Sequence, residues 1–156
     1  MSKKIILCRG IQGSGKTTWA RQWAEAEPEN RVRFSYDDVR NMLGKYWVPN
    51  REDIVRRARM AIVTESMECG FDIVVDNMNL NPYEVKWYEG VLKEFEERRG
   101  VHYDLIFQDF KTPLEVCIER DSKRPNPIGE QVIRQTYEKY RSFYGEEQEA
   151  QTISDN

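Results

Sequence analysis

The segment Gly10-Ile11-Gln12-Gly13-Ser14-Gly15-Lys16-Thr17 limits what this chain can fold into more than any other stretch. Its spacing is G-x-x-x-x-G-K-[ST]. It follows the apolar run Lys4 to Cys8 and opens an amphipathic stretch from Lys16 to about Glu27, closed by Pro28. Glycines let successive backbone N–H groups point into one concavity, and the helix that starts there adds partial positive charge. The chemistry is that of a triphosphate cradle. Gly10, Gln12, Gly13, Ser14, Gly15, Lys16, Thr17 and Thr18 are its candidate residues, with Lys16 on the β- and γ-phosphates and Thr17 on Mg²⁺.

Around this loop, apolar runs alternate with stretches of period 3.6, the pattern of an α/β protein with a mainly parallel sheet flanked by helices. Strands are expected at Lys4 to Cys8, Val32 to Ser35, Ile73 to Val75 and Tyr103 to Phe107. A brief helix is expected from Asp37 to Leu43, and a loop from Gly44 to Asn50 carrying Tyr46 and Trp47. The long helix Glu52 to Cys69 is expected to bury Ile54, Ala58, Ala61, Ile62 and Cys69. Asn81-Pro82-Tyr83-Glu84 is a helix start that should run to about Arg99, and Thr112-Pro113-Leu114-Glu115 repeats the signal. Ser122 to Gly129, with two prolines and two cations, reads as a loop of a helical lid, and Glu130 to Tyr144 as the last helix. The expected division is a kinase domain of P-loop NTPase type over 1–144 and a flexible acidic tail over 145–156.

Composition narrows the function classes. The chain has 156 residues, 33% of them charged and 39% hydrophobic, which suits one domain with a core. No apolar run approaches the roughly 20 residues of a spanning helix, so no membrane is expected. Cys8, Cys69 and Cys117 are widely spaced beside a single histidine, which argues against disulfides or thiolate zinc and for a cytoplasmic protein with reduced cysteines. A net charge of −3 gives no general attraction to nucleic acid, so any basic binding face is local.

The N-K-x-D motif of base-reading NTPases is absent, and a chain this short points to a small phosphotransferase using ATP and Mg²⁺. Such an enzyme needs a base, a second acid on the metal side and a cationic loop. Asp37, at the end of the second strand, is the candidate base, with Asp38 beside it; either could instead cap the helix. Arg40 lies three residues on and can hold a phosphate of the acceptor. Asp76 ends the third strand, where it can hold water on Mg²⁺. Arg124, Arg120 and Lys123 lie on or beside the Ser122–Gly129 loop, which could deliver a cation to a transferring phosphate, or they form a solvated charge cluster. Arg51, Arg56, Arg57 and Arg59, after Tyr46-Trp47, could carry phosphates and a stacked terminal base, or form a solvated helix face with the rings in the core.

Taken together, GSGKTTWA (Gly13 to Ala20), YDDVR (Tyr36 to Arg40), DNMNLNP (Asp76 to Pro82) and RDSKR (Arg120 to Arg124) resemble the 5′-polynucleotide kinases of phages and the kinase half of polynucleotide kinase-phosphatases. The resemblance runs from about Lys3 to Tyr144. It implies transfer of the ATP γ-phosphate to the 5′-hydroxyl of DNA or RNA, the nucleic acid 5′ end being the substrate partner. It also implies Asp37 as general base, Arg40 on the acceptor's 3′-phosphate, and Arg124 as the lid arginine supported by Arg120. No D-x-D-G-T motif is present, so 3′-end processing is not expected. Two readings stay open beside it: a P-loop kinase acting on the hydroxyl of a small metabolite, and a nucleotide-binding module without turnover.

Overall fold

The computed structural model describes residues 2–145; the acidic tail expected over 145–156 lies, after Gly145, outside the described residues. Four strands make one sheet: β1 (Lys3–Arg9), β2 (Arg31–Phe34), β3 (Asp72–Val75) and β4 (Tyr103–Asp109), in the order β2-β3-β1-β4. Every pairing is parallel, with Ile5 opposite Ile73, Leu7 opposite Phe107 and Phe34 opposite Val75. The architecture is therefore the expected α/β one, and its sheet is wholly parallel.

Strand alternation sorts the core into two layers. Ile5, Leu7, Ile73 and Val75 face α3 (Glu52–Glu68) and α4 (Pro82–Arg99), meeting Val55, Val63, Met67, Tyr88, Leu92 and Phe95. Ile6, Cys8 and Val74 face α1 (Lys16–Ala26) on the opposite side, under Ala20, Trp19, Trp23 and Phe110. A third cluster gathers Ile11, Cys117, Ile133 and Tyr144, and so packs α5 (Leu114–Ser122) and α6 (Glu130–Lys139) onto the loop after β1.

Several expectations need correction. In α3 the buried face is Val55, Arg59, Val63 and Met67. Ile54, Ala61, Ile62 and Cys69 are exposed, and only Ala58 of the expected stripe is partly buried. A buried arginine moves the apparent stripe: the Arg59 guanidinium lies 3.8 Å over the Trp87 ring and pairs with Glu84, so it packs as an aromatic-stacked cation. Of the cluster Arg51, Arg56, Arg57 and Arg59, Arg59 is thus turned into the core. The last helix breaks at Tyr140, with residues 141–145 forming a separate helical turn that still buries Tyr144. Pro113, and not Thr112, is the N-cap of α5, because Pro113 is still non-helical (ψ 142°) and the helix begins at Leu114; the Thr112 hydroxyl donates to the Ser14 carbonyl at 2.8 Å. The cysteines are free, with Cys8 and Cys117 buried and Cys69 exposed. No helix among the described residues is long and apolar enough to cross a membrane.

Candidate active site

Parallel strands bring their C-terminal ends to one edge, and the loops leaving β1, β2 and β3 enclose a cavity of about 420 Å³ there. Its wall includes Gln12, Gly13, Ser14, Gly15, Lys16, Thr17 and Thr18 on one side and Asp37, Asp38 and Arg40 on another, with Asp76 and Arg124 also lining it. Gly10 lies behind the wall; its N–H donates to the Met78 carbonyl at 3.2 Å and ties the β1 loop to the β3 loop.

The loop has the geometry its spacing requires. Gly13 (φ +79°) and Gly15 (φ +102°) are left-handed, and a Cβ on Gly13 would sit 2.5 Å from the Cys117 carbonyl oxygen. α1 starts at Gly15 with neither a side-chain cap nor an acid in its first turn, so its first N–H groups remain available to an anion. Lys16 Nζ donates to the Gly10 and Ile11 carbonyls, each at 2.8 Å, and to Ser14 Oγ at 3.3 Å. Burial pushes this ammonium down to about 8, against the opposing attraction of Asp76.

Across the cavity, Ser35 caps α2 (Tyr36–Met42) by accepting the Asp38 N–H, which releases both aspartates from capping. Asp37 Oδ1 accepts the Arg40 Nη1–H at 3.0 Å and the Tyr46 hydroxyl at 2.7 Å. Arg40 in turn donates Nε–H and Nη2–H to the two oxygens of Glu52, at 3.0 and 2.7 Å. Those bonds hold Glu52 below the usual carboxylate range and raise Arg40 above its own. Asp38 pairs with Arg33, which also donates twice to Oδ2 of the buried Asp76, at 3.0 and 2.7 Å.

Arg120 Nη1 donates to the Gly13 carbonyl at 3.4 Å, from the wall of a second cavity of about 510 Å³ formed with Trp19, Phe110, Thr112 and Arg124. The segment 122–129 is fastened at its far end: the buried carboxylate of Asp121 accepts the Ile128 and Gly129 N–H groups at 3.0 and 2.9 Å. Lys123 points away and pairs with Glu119.

The fold also recruits residues the motifs did not single out. Arg33 reaches the site because it stands two residues before Ser35 on β2, a period-2 signal that was readable. Asn77, on the cavity wall, accepts the Tyr36 N–H on Oδ1 at 2.9 Å, and its buried Nδ2 has no partner among the described residues. Glu52 and Tyr46 arrive from outside the motifs, and no sequence signal placed them against Arg40 and Asp37. Thr17 and Asp76 offer hard oxygens on one cavity, and Mg²⁺ typically keeps several waters beside one or two protein oxygens, so this donor set fits the ion.

A phosphate loop at the edge of a parallel sheet, facing a carboxylate across one cavity, defines a P-loop phosphotransferase. The chain belongs to the AAA_33 family of AAA domains, whose family model matches residues 5–146. It is 26% identical to a protein of Autographa californica nuclear polyhedrosis virus described as a bifunctional polynucleotide kinase/RNA ligase, over 89% of this chain and 21% of that one. It is 23% identical to the L-seryl-tRNA(Sec) kinase of Methanococcus maripaludis, over 87% of this chain and 52% of that one. The chain therefore spans about half or less of the length of these relatives. Its fold matches a chain of the Pnkp1/Rnl/Hen1 RNA repair complex with a TM-score of 0.75 and 23% identity, over 94% of this chain and 46% of that one. It also matches the Mycobacterium tuberculosis APS kinase CysC in complex with AMPPNP and APS, with a TM-score of 0.54 and 20% identity, over 78% and 70%.

Proposed function

We propose that this chain transfers the γ-phosphate of ATP to the 5′-hydroxyl of a nucleic acid end, with Asp37 as general base. The observation that carries the reading is that Asp37 and Lys16 line the same cavity, so that a hydroxyl on one wall can face a phosphate on the other. Asp37 accepts the hydroxyl proton as the oxygen attacks phosphorus; the bond to the β–γ bridging oxygen breaks and ADP leaves. Lys16, the first N–H groups of α1 and Arg124 stabilise the charge on the donor oxygens. Thr17, with Asp76 through water, would hold Mg²⁺, which when bound neutralises charge on the β- and γ-phosphates. Two of the five Arg40 N–H groups remain beyond its three bonds to Glu52 and Asp37, enough for a phosphate of the acceptor. Support also comes from the order of the four motifs and from the viral relative.

A second reading, a small-metabolite acceptor, is favoured by the pairing of Arg33, Arg40 and Arg56 with carboxylates, which leaves the acceptor side nearly charge-balanced. Labelled ATP separates the two. Transfer to a 5′-hydroxyl oligonucleotide, abolished by Lys16→Ala and cut about 10²- to 10⁴-fold by Asp37→Asn with ATP binding kept, is the expected result. Transfer to APS or small alcohols alone would replace the polynucleotide reading, and no transfer to any acceptor would leave a binding module.

A further inference from the structure

We propose that Tyr46 is a positioning residue for the base: its hydroxyl and the Arg40 guanidinium hold one oxygen of Asp37 so that the other faces the acceptor. This inference rests on the reading of Asp37 as the base, and it names what keeps that base in register.

The need for such a device follows from where Asp37 stands. It lies in the first turn of a seven-residue helix, with 59% of its side chain exposed. A carboxylate so placed rotates freely unless something fixes it, and a misaligned base loses most of its value. Here two donors from different elements converge on the same atom, Oδ1: Arg40 from the next turn of α2 and Tyr46 from the loop after it. The first of these donors is itself fixed. Arg40 is gripped in a bidentate pair by Glu52 of α3, and both side chains are more than four-fifths buried. The Tyr46 ring lies 5.8 Å from the Arg40 guanidinium. Among the described residues no donor reaches Asp37 Oδ2, so one oxygen is occupied twice and the other is left for a substrate hydroxyl.

The phenol is fitted to donate and not to exchange its proton. Burial, and then the bond to Asp37, push Tyr46 up to about 12, so it stays protonated wherever a carboxylate base works. It therefore orients Asp37 without competing for the proton that Asp37 takes.

The test is Tyr46→Phe, which keeps the ring and removes the donor, assayed with a 5′-hydroxyl oligonucleotide beside Asp37→Asn and the double variant. The expected result is a kcat lower by about 10- to 100-fold, the size of one hydrogen bond to a charged group, with KM for ATP and for the oligonucleotide unchanged. In the double variant the loss should not exceed that of Asp37→Asn alone, because both changes act on one group. Unchanged kcat in Tyr46→Phe would overturn the proposal. So would a rise in kcat/KM for the oligonucleotide, which would mean that the phenol blocks the base. A rise in acceptor KM alone would make Tyr46 a binding residue instead. If Asp37→Asn itself turned over normally, the assignment of the base would fall first; if it were inactive while Tyr46→Phe was normal, the role of Tyr46 alone would fall.

Discussion

Arg33 donates both Nε–H and Nη2–H to a single oxygen of Asp76, at 3.0 and 2.7 Å, across the C-terminal ends of β2 and β3. The Asp76 side chain is 2% exposed and that of Arg33 14%, so the pair is nearly dry. Removing one member of a buried pair leaves the other charge uncompensated. Arg33→Met should destabilise the fold by about 3 kcal/mol in urea unfolding, and adding Asp76→Asn should recover much of that loss. If the single variant unfolded like the parent, the pair would not be holding the strand ends together.

The Lys16 ammonium titrates near 8 in the free protein, below its ordinary 10.5, because burial disfavours its charge. Its folded value is the lower one, so the unfolded chain binds more protons between about 8 and 10.5, and this group adds stability as pH rises through that window. Triphosphate binding reverses the preference by placing anionic oxygens beside the ammonium. ATP affinity should therefore fall as pH rises above about 8, and binding at pH 9 should take up a proton. Calorimetry in two buffers of different ionisation enthalpy measures that uptake, and Lys16→Met should abolish it.

Asn79 is a non-glycine residue at positive φ (52°), and its buried amide donates to the Cys8, Val75 and Asn77 carbonyls. The side chain bridges the ends of β1 and β3 and so sets the spacing between the phosphate loop and Asp76. Asn79→Ala loses these bonds and keeps a left-handed backbone that costs alanine about 1 to 2 kcal/mol, whereas Asn79→Gly loses the bonds and adds the smaller cost, roughly 0.5 to 1 kcal/mol, of a freer unfolded chain. Both variants should melt below the parent, the alanine one lower. Equal melting would mean the backbone there relaxes freely.

Asp121 holds the segment that carries Arg124 through the N–H groups of Ile128 and Gly129. Asp121→Ala removes the buried acceptor of two charge-assisted hydrogen bonds whose N–H groups sit on an exposed and a partly buried residue, an expected loss of about 1 to 2 kcal/mol in stability. If Arg124 acts on the donor phosphates as proposed, turnover should fall further than ATP affinity, because Arg124 then samples positions away from the cavity. Single-turnover assays against ATP titration separate the two. Parallel loss of both would place Asp121 in general folding and not in the aim of Arg124.

Much of this was legible in the chain because it is local. The loop Gly10 to Thr17 carries its conformation in its glycines, and the parallel strands announce themselves as short β-branched runs between periodic segments. Asp37 and Asp76 could be placed at strand ends for the same reason, since a strand followed by a turn puts its last residues at the ligand edge. The buried face of α3 is not legible from apolar residues alone, because Arg59 buries itself by stacking on Trp87, a partner 28 positions away.

What the sequence alone determined was therefore the fold class and the phosphate cradle, both set by short-range backbone preference and apolar periodicity. Only the tertiary structure decided the partners: Arg33 on Asp76, Glu52 on Arg40, Tyr46 on Asp37, Asp121 under its loop. A carboxylate pairs with whichever cation or hydroxyl packing brings within about 3 Å. For Arg33 and Asp76 that approach depends on β2 and β3 lying side by side; for Arg40 and Glu52 it depends on how α2 and α3 meet. Residues far apart in the chain become neighbours through such packing, which local spacing does not encode.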